Sequence, residues 1–363
     1  MNENDARARH SWFVLPMTMR QVRDRAGDWL TEQGVEDGRH HAERLLMHVL
    51  GFDRAALLLA WHDPFPEDKG EQWVELVSRR STGEPLQYVI GEEWFYGRPF
   101  AVTPAVLIPR PETELLVEAV MEEADRLWPA GAETHFLETA EGLSGESKGT
   151  EAGMATEAGS GSVEAAMATE DGVAIAGGAA VPTVLDVGTG SGAIAVTLAA
   201  QRPRWRVCAS DLSPDALEVA RANAARHGAA GRLAFAQGDL LAPLIASGRG
   251  GTAVDGGTRV DVLVSNPPYI PSADMEGLQR EVRDYEPHLA LEGGADGLDP
   301  YRRMLEQLPL LASMPRIVAF ELGIGQPRIV AELMRQMGVW DQIRIITDYS
   351  GIERHIIAVR SGS

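Results

Sequence analysis

The chain reads as an α/β protein: an N-terminal helical bundle with a β-hairpin linker, then a larger domain on a mostly parallel seven-stranded sheet with an antiparallel edge pair. Three observations predict this. Apolar residues recur at three- and four-residue spacing as far as Arg80, the period of amphipathic helices. From Thr183 onward, short apolar runs of strand character alternate with helical segments, as in a parallel sheet covered by helices on both faces. The last two such runs adjoin, which suggests the antiparallel pair.

Residues 1–16 are expected to be a disordered lead, with Met17 or Met19 as an alternative start. Over 17–84, Met19, Val22, Ala26, Trp29 and Leu30 mark a first helix with Thr18 as N-cap. A second is expected from His40 to Leu50, ended by Gly51, and a third from Arg54 to Trp61. Pro64 and Pro66 interrupt the chain before a helix from Glu71 to Arg80, with Trp73 and Val77 inward. The linker, 85–108, reads as a hairpin of Leu86–Ile90, Trp94–Tyr96 and Phe100–Val102 with turns at Gly91 and Gly97.

The larger domain, 109–363, opens on a helix from about Pro111 to Leu127, whose Glu112 and Glu114 complement its dipole. Strands are expected at Thr183–Val187, Arg206–Ser210, Leu233–Gln237, Val260–Ser265, Arg316–Glu321, Gln342–Thr347 and Arg354–Val359. Helices fall at Ala193–Gln201, Pro214–His227, Tyr301–Leu308 and Pro327–Met337. Residues 130–181 are rich in Gly, Ala, Glu, Ser and Thr and carry a weak repeat, Glu151–Glu157 against Glu164–Glu170. Such a tract buries too little apolar surface to offset its ordering entropy, so it reads as a solvated acidic insertion. A smaller insertion covers 247–257.

Composition narrows the function. With 44% hydrophobic residues in 363, the chain is long enough for two domains and a sizeable core. No apolar stretch approaches the roughly 18–20 residues of a membrane helix, and no signal-peptide pattern opens the chain. A cytoplasmic location is the expectation. The single cysteine, Cys208, lies in a strand-like run and reads as a buried, inert thiol, which excludes an internal disulfide and a multi-cysteine metal site. His40 and His41 are helix neighbours facing different directions, so no metal is expected. A net charge of −20 opposes binding to nucleic acid, whose phosphates demand cations.

Ligands of such folds bind at the carboxyl ends of the strands, and there the sequence is most specific. Asp186-Val187-Gly188-Thr189-Gly190-Ser191-Gly192-Ala193 is a strand running into a glycine-rich turn and a helix, with the helix N-terminus supplying donors. Asp211 ends the second strand, suited to ribose hydroxyls, and Gly238-Asp239-Leu240 ends the third, where Asp239 and Leu240 suit an adenine edge and face. The glycine turn, with Ala193 in its last place, and Asp211 also satisfy a nicotinamide-dinucleotide pattern, so both readings stand at this point.

The loop Asn266-Pro267-Pro268-Tyr269 after Val262-Leu-Val-Ser265 separates them. Two consecutive prolines stop the ladder, stiffen the loop and remove two N–H donors. What remains is a cluster of acceptors beside a ring, suited to a planar group bearing an NH2. Hydride transfer has no evident use for it.

Taken together, these motifs resemble the class I, Rossmann-like S-adenosylmethionine-dependent methyltransferases that act on a planar nitrogen. Glu84-Pro-Leu-Gln-Tyr-Val-Ile-Gly91 with Trp94-Phe95, and Val102-Thr-Pro-Ala-Val-Leu-Ile-Pro-Arg-Pro-Glu-Thr-Glu114, resemble one branch in particular, the peptide chain release factor N5-glutamine methyltransferases. The resemblance covers about 18–130 and 182–360, and the two insertions depart from the family pattern. It implies methylation of the glutamine in the Gly-Gly-Gln motif of bacterial class-one release factors, with no metal and no nucleophilic Ser, Cys or His. The alternatives are a ribosomal-protein glutamine methyltransferase, which shares the chemistry, and a DNA or RNA adenine-N6 methyltransferase, which the acidic balance disfavours. S-adenosylmethionine would lie over Gly188, Thr189, Gly190, Ser191 and Gly192, with Asp211 on its ribose and Asp239 and Leu240 near its adenine. Asn266, adjoining cofactor and substrate, and the Pro267 carbonyl would hold the amide, with Pro268 stiffening the loop and Tyr269 against the amide plane. The helical bundle would dock the release factor. Arg110 reads two ways, as a partner for a carboxylate of its own segment or as a substrate contact.

Overall fold

The computed structural model describes residues 12–129, 181–245 and 259–362. The expectations for both insertions and for residues 1–11 therefore lie outside, or almost wholly outside, the described residues. Helices α1 (Met19–Glu32), α2 (Gly38–Leu50), α3 (Arg54–Leu59) and α4 (Gly70–Ser81) form the bundle. Thr18 caps α1 in a reciprocal capping box with Gln21. Trp73 and Val77 are fully buried at the bundle centre with Leu30, Leu45 and Leu46. Contrary to the expected lead, Trp12 is buried and stacks on Trp29 at a centroid distance of 5.1 Å. An aromatic pair of this size anchors the segment that carries it. Trp73→Ala is expected to cost about 3–5 kcal/mol, read by urea unfolding. A loss under about 1 kcal/mol would mean that the bundle does not unfold with the rest.

The linker differs from its expectation. Leu86–Ile90 is a helical turn, α5, not a strand. A five-residue apolar run has no period long enough to tell the two apart. Pro85 before it and Gly91 in the left-handed conformation after it bracket a helix instead. The hairpin is β1 (Glu92–Phe95) with β2 (Arg98–Ala101), turning at Tyr96 and Gly97, both with positive φ. That pair of angles is the mirror-image turn whose twist matches a two-stranded ribbon.

After α6 (Thr113–Leu127) come β3 (Thr183–Val187), α7 (Ala193–Gln201), β4 (Arg206–Asp211), α8 (Pro214–Arg226), β5 (Leu233–Gln237) and α9 (Ala242–Ile245). Then follow β6 (Val262–Ser265), α10 (Arg280–Tyr285), α11 (Asp299–Gln307), β7 (Ile317–Glu321), α12 (Pro327–Gln336), β8 (Gln342–Thr347) and β9 (Glu353–Val359). The sheet order is β5-β4-β3-β6-β7-β9-β8, parallel except for β9, which is antiparallel to both neighbours. The predicted seven strands and edge pair are present. Helices pack on both faces, so β3, β6 and β7 are buried at every position. Cys208 lies in β4 as a buried free thiol, and burial pushes its pKa up to about 11.

Hydrogen bonds tie the linker and bundle to the sheet domain. Asn223 of α8, fully buried, exchanges hydrogen bonds with both backbone groups of Ala101 and donates to Ser191 O at 2.8 Å. Arg80 of α4 is buried between His41 Nδ1 at 3.0 Å and Glu281 at 2.9 Å. Burial and the neighbouring Arg80 cation lower His41 to about 4, so its ring accepts that bond in the neutral form.

Candidate active site

A cavity of about 490 Å³ opens at the carboxyl ends of β3, β4, β5 and β6. Gly188, Thr189, Gly190, Ser191, Asp211, Asp239, Leu240, Asn266 and Pro268 line it together. Gly192, Pro267 and Tyr269 are not among its lining residues. A Cβ on Gly192 would lie 3.2 Å from Ala220 Cβ, so this glycine serves close packing of α7 on α8. Pro267 is buried in the loop, and Tyr269 packs into the core on the other face of the sheet.

Each strand end shapes one wall. Ser210 O accepts from the N–H groups of Gly188 and Thr189 at 2.8 and 2.9 Å, and Asp211 Oδ2 accepts from Gly190 N at 2.9 Å. The glycine loop is thereby drawn down onto β4. Gly188 and Gly190 have positive φ, and a Cβ on either would meet nothing within 4 Å. The backbone demands glycine there, and no protein atom fills the space beside it. Asp211 Oδ1 accepts from Ser213 N at 2.9 Å; burial raises its pKa against these backbone bonds. Asp239 is paired with Arg303, another lining residue that the sequence reading missed.

Beneath the glycine loop Asp186 is fully buried. Its Oδ2 accepts from Thr189 Oγ1 at 2.6 Å and Ala195 N at 3.1 Å, while Oδ1 has no partner among the described residues. Burial pushes its carboxyl up to about 7, opposed by those two hydrogen bonds. The folded chain therefore keeps this proton until about pH 7, whereas the ordinary value is 3.8. Stability falls as pH rises through that window and is level above it. Asp186→Asn removes the titration, so its stability relative to the parent should rise by roughly 2–4 kcal/mol between about pH 4 and 7. Urea unfolding at several pH values measures this; a constant difference would show the carboxyl already ionised.

The Asn-Pro-Pro-Tyr loop is held from outside its own segment. Ile270 N donates to Leu291 O and Gly293 N to Ile270 O, both at 2.9 Å. Gln326 Nε2 donates to Tyr269 O at 2.9 Å, while its Oε1 accepts from Gly323 N. Burial, then the nearby Glu321 charge, push the Tyr269 hydroxyl up to about 12, so it stays protonated. Asn266 Nδ2 donates to Thr113 Oγ1 at 3.3 Å. Its Oδ1 is buried with no partner among the described residues.

Arg110 lines the cavity and pairs with Glu286 at 2.6 Å, a carboxylate 176 positions away and not one of its own segment. Glu114 accepts from Tyr96 N at 2.7 Å and so joins α6 to the hairpin turn.

Two family models match the chain: the PrmC N-terminal domain over residues 21–91 and a methyltransferase domain over residues 184–283. A release factor glutamine methyltransferase of Bacillus cereus is 35% identical over 92% of this chain and 96% of its own length. The chain belongs to the release factor glutamine methyltransferase family. The relative from Moorella thermoacetica is 37% identical over 95% of this chain and 99% of its own, and that from Bacillus subtilis 36% over 92% and 95%. Membership of this family gives the helical bundle, the hairpin and the strand-end loops one common context. No helix among the described residues is long and apolar enough to cross a membrane.

Proposed function

We propose that the chain transfers a methyl group from S-adenosylmethionine to the side-chain amide nitrogen of the glutamine in the Gly-Gly-Gln motif of bacterial class-one release factors. The supporting observation is Asn266: it lines the cavity, its nitrogen is engaged by Thr113, and its buried oxygen is left without a partner. A buried acceptor in that condition is costly unless something else supplies a donor. A substrate carboxamide supplies two.

The residues present fit S-adenosylmethionine. The glycines leave ligand space beside Gly188 and Gly190, Asp211 offers acceptors to ribose hydroxyls, and the cavity volume lies in the usual range for a small-molecule site. When bound, that group supplies an electrophilic methyl carbon on sulfur. The protein has to overcome the poor nucleophilicity of an amide, whose nitrogen lone pair is delocalised. Asn266 Oδ1 takes one N–H group and, as the family resemblance implies, the Pro267 carbonyl takes the other, so that positive charge arriving on nitrogen is stabilised. Pro267 and Pro268 keep that pair of acceptors fixed, so little ordering remains for the reaction step. Tyr269 backs the loop from the core side. The helical bundle is the docking surface for the release factor, and the location is cytoplasmic. The acidic balance speaks against direct nucleic-acid binding.

The test offers radiolabelled S-adenosylmethionine with a release factor, the same factor with its tripeptide glutamine replaced, ribosomal proteins and duplex DNA. Label is expected on the intact factor alone. Label on DNA or ribosomal protein, or label that ignores the glutamine, would overturn the assignment.

A further inference from the structure

Thr113 stands between Asn266 and a buried carboxylate. Its hydroxyl donates to Glu321 Oε2 at 2.6 Å, and its oxygen accepts from Asn266 Nδ2 at 3.3 Å. Thr113 is 4% exposed and Glu321 3%, so water does not compete for these bonds. A hydroxyl has one proton; a carboxylate has lone pairs alone. With the Thr113 proton given to Glu321, its oxygen can serve Asn266 only as acceptor. The amide must then turn its nitrogen to Thr113, which leaves Oδ1 as the group without a protein partner.

We propose that Glu321, acting through Thr113, is a positioning residue that fixes which end of the Asn266 amide is offered to the substrate. This rests on the reading of Asn266 given above. An inverted amide would set its NH2 against the N–H groups of the substrate, donor against donor, and the nitrogen would no longer be aimed. Glu321 is itself held rigidly. It ends β7 in register with His355 of β9, whose Nε2 lies 3.6 Å from Oε2, and its backbone oxygen accepts from Tyr301 Oη at 2.6 Å.

Glu321→Gln keeps the shape and adds a donor, which frees the Thr113 proton to point at Asn266 and favours the inverted amide. We expect a loss in kcat of about a hundredfold, with the Kd for S-adenosylmethionine within about threefold and Tm within about 4 °C of the parent. Thr113→Val, which keeps volume and removes both bonds, should lose a similar factor, and Thr113→Ser should recover most of it.

A second readout does not depend on turnover. The chain has four asparagines, Asn2, Asn4, Asn223 and Asn266, so ¹⁵N-asparagine labelling resolves the Asn266 side-chain NH2. Its hydrogen exchange should accelerate about tenfold or more in Glu321→Gln, because the NH2 then faces the cavity. Unchanged kcat and unchanged exchange in Glu321→Gln, with the parent methylating the release factor, would overturn this proposal and leave the substrate reading standing. A parent enzyme that ignores the tripeptide glutamine would overturn both. Equal losses of kcat, cofactor affinity and Tm would mark Glu321 as merely structural and also overturn it.

Discussion

Asn266→Ala is expected to lower kcat by about a thousandfold or more, with cofactor affinity within about threefold of the parent. The side chain supplies one of two acceptors that aim the amide nitrogen, and that hold strengthens as the nitrogen becomes positive. An interaction made mainly in the transition state appears in kcat rather than in binding. Stability should move the other way. The resting protein buries an acceptor with no partner among the described residues, a condition worth about 1–3 kcal/mol, and the bond from Nδ2 to Thr113 is long at 3.3 Å. The variant should therefore unfold at the same urea concentration as the parent or a slightly higher one, as expected where an active site is built at the expense of stability. Single-turnover kinetics, cofactor titration and urea unfolding check the three parts. A large loss of cofactor binding or of stability would show that Asn266 holds the loop together rather than the substrate.

Gly297→Ala should damage both fold and activity, although position 297 belongs to no motif. Gly297 is buried with φ +76°, and a Cβ there would lie 2.1 Å from Tyr269 O and 2.5 Å from Gln326 Nε2. The first of these is backbone and cannot rotate away. The variant bears left-handed strain of about 1–2 kcal/mol and overpacking of about 1–3 kcal/mol. Relief requires the Asn-Pro-Pro-Tyr loop to shift, and a displacement near 1 Å at a reacting group costs about a hundredfold in rate. Gly228→Ala is the control. Its φ is +66°, but a Cβ there meets nothing within 4 Å, so it should show the strain without the rate loss. Equal kcat for Gly297→Ala and the parent would mean that the loop does not depend on this contact.

Much of the fold was legible because its signals are local. Seven apolar runs mark seven strands, and their alternation with helices marks a mostly parallel sheet. The misses fall where a local signal is too short or where tertiary contact decides. Leu86–Ile90 was too short to show a period, and the flanking Pro85 and Gly91 decided for a helical turn. Trp12 opens an apolar Trp-Phe-Val-Leu run at the end of the expected lead, and its ring reaches Trp29 and Trp73. Asp186 was written in the glycine motif, but nothing in the spacing showed that its carboxyl would be fully buried with one oxygen unpaired.

The sequence alone determined which strand ends carry chemistry, because a strand followed by glycines or by two prolines is specified by the residues themselves. Tertiary structure decided what stands behind those ends. Thr113, Glu321, Gln326 and Gly297 lie 153, 55, 60 and 31 positions from Asn266 in the chain, and no local pattern marks any of them. They meet the loop because β6 and β7 pair in register and α6 packs across them. Hydrogen-bond partners inside a core are chosen by which buried groups packing brings within about 3 Å, and the linear order of residues does not encode that choice in any short segment.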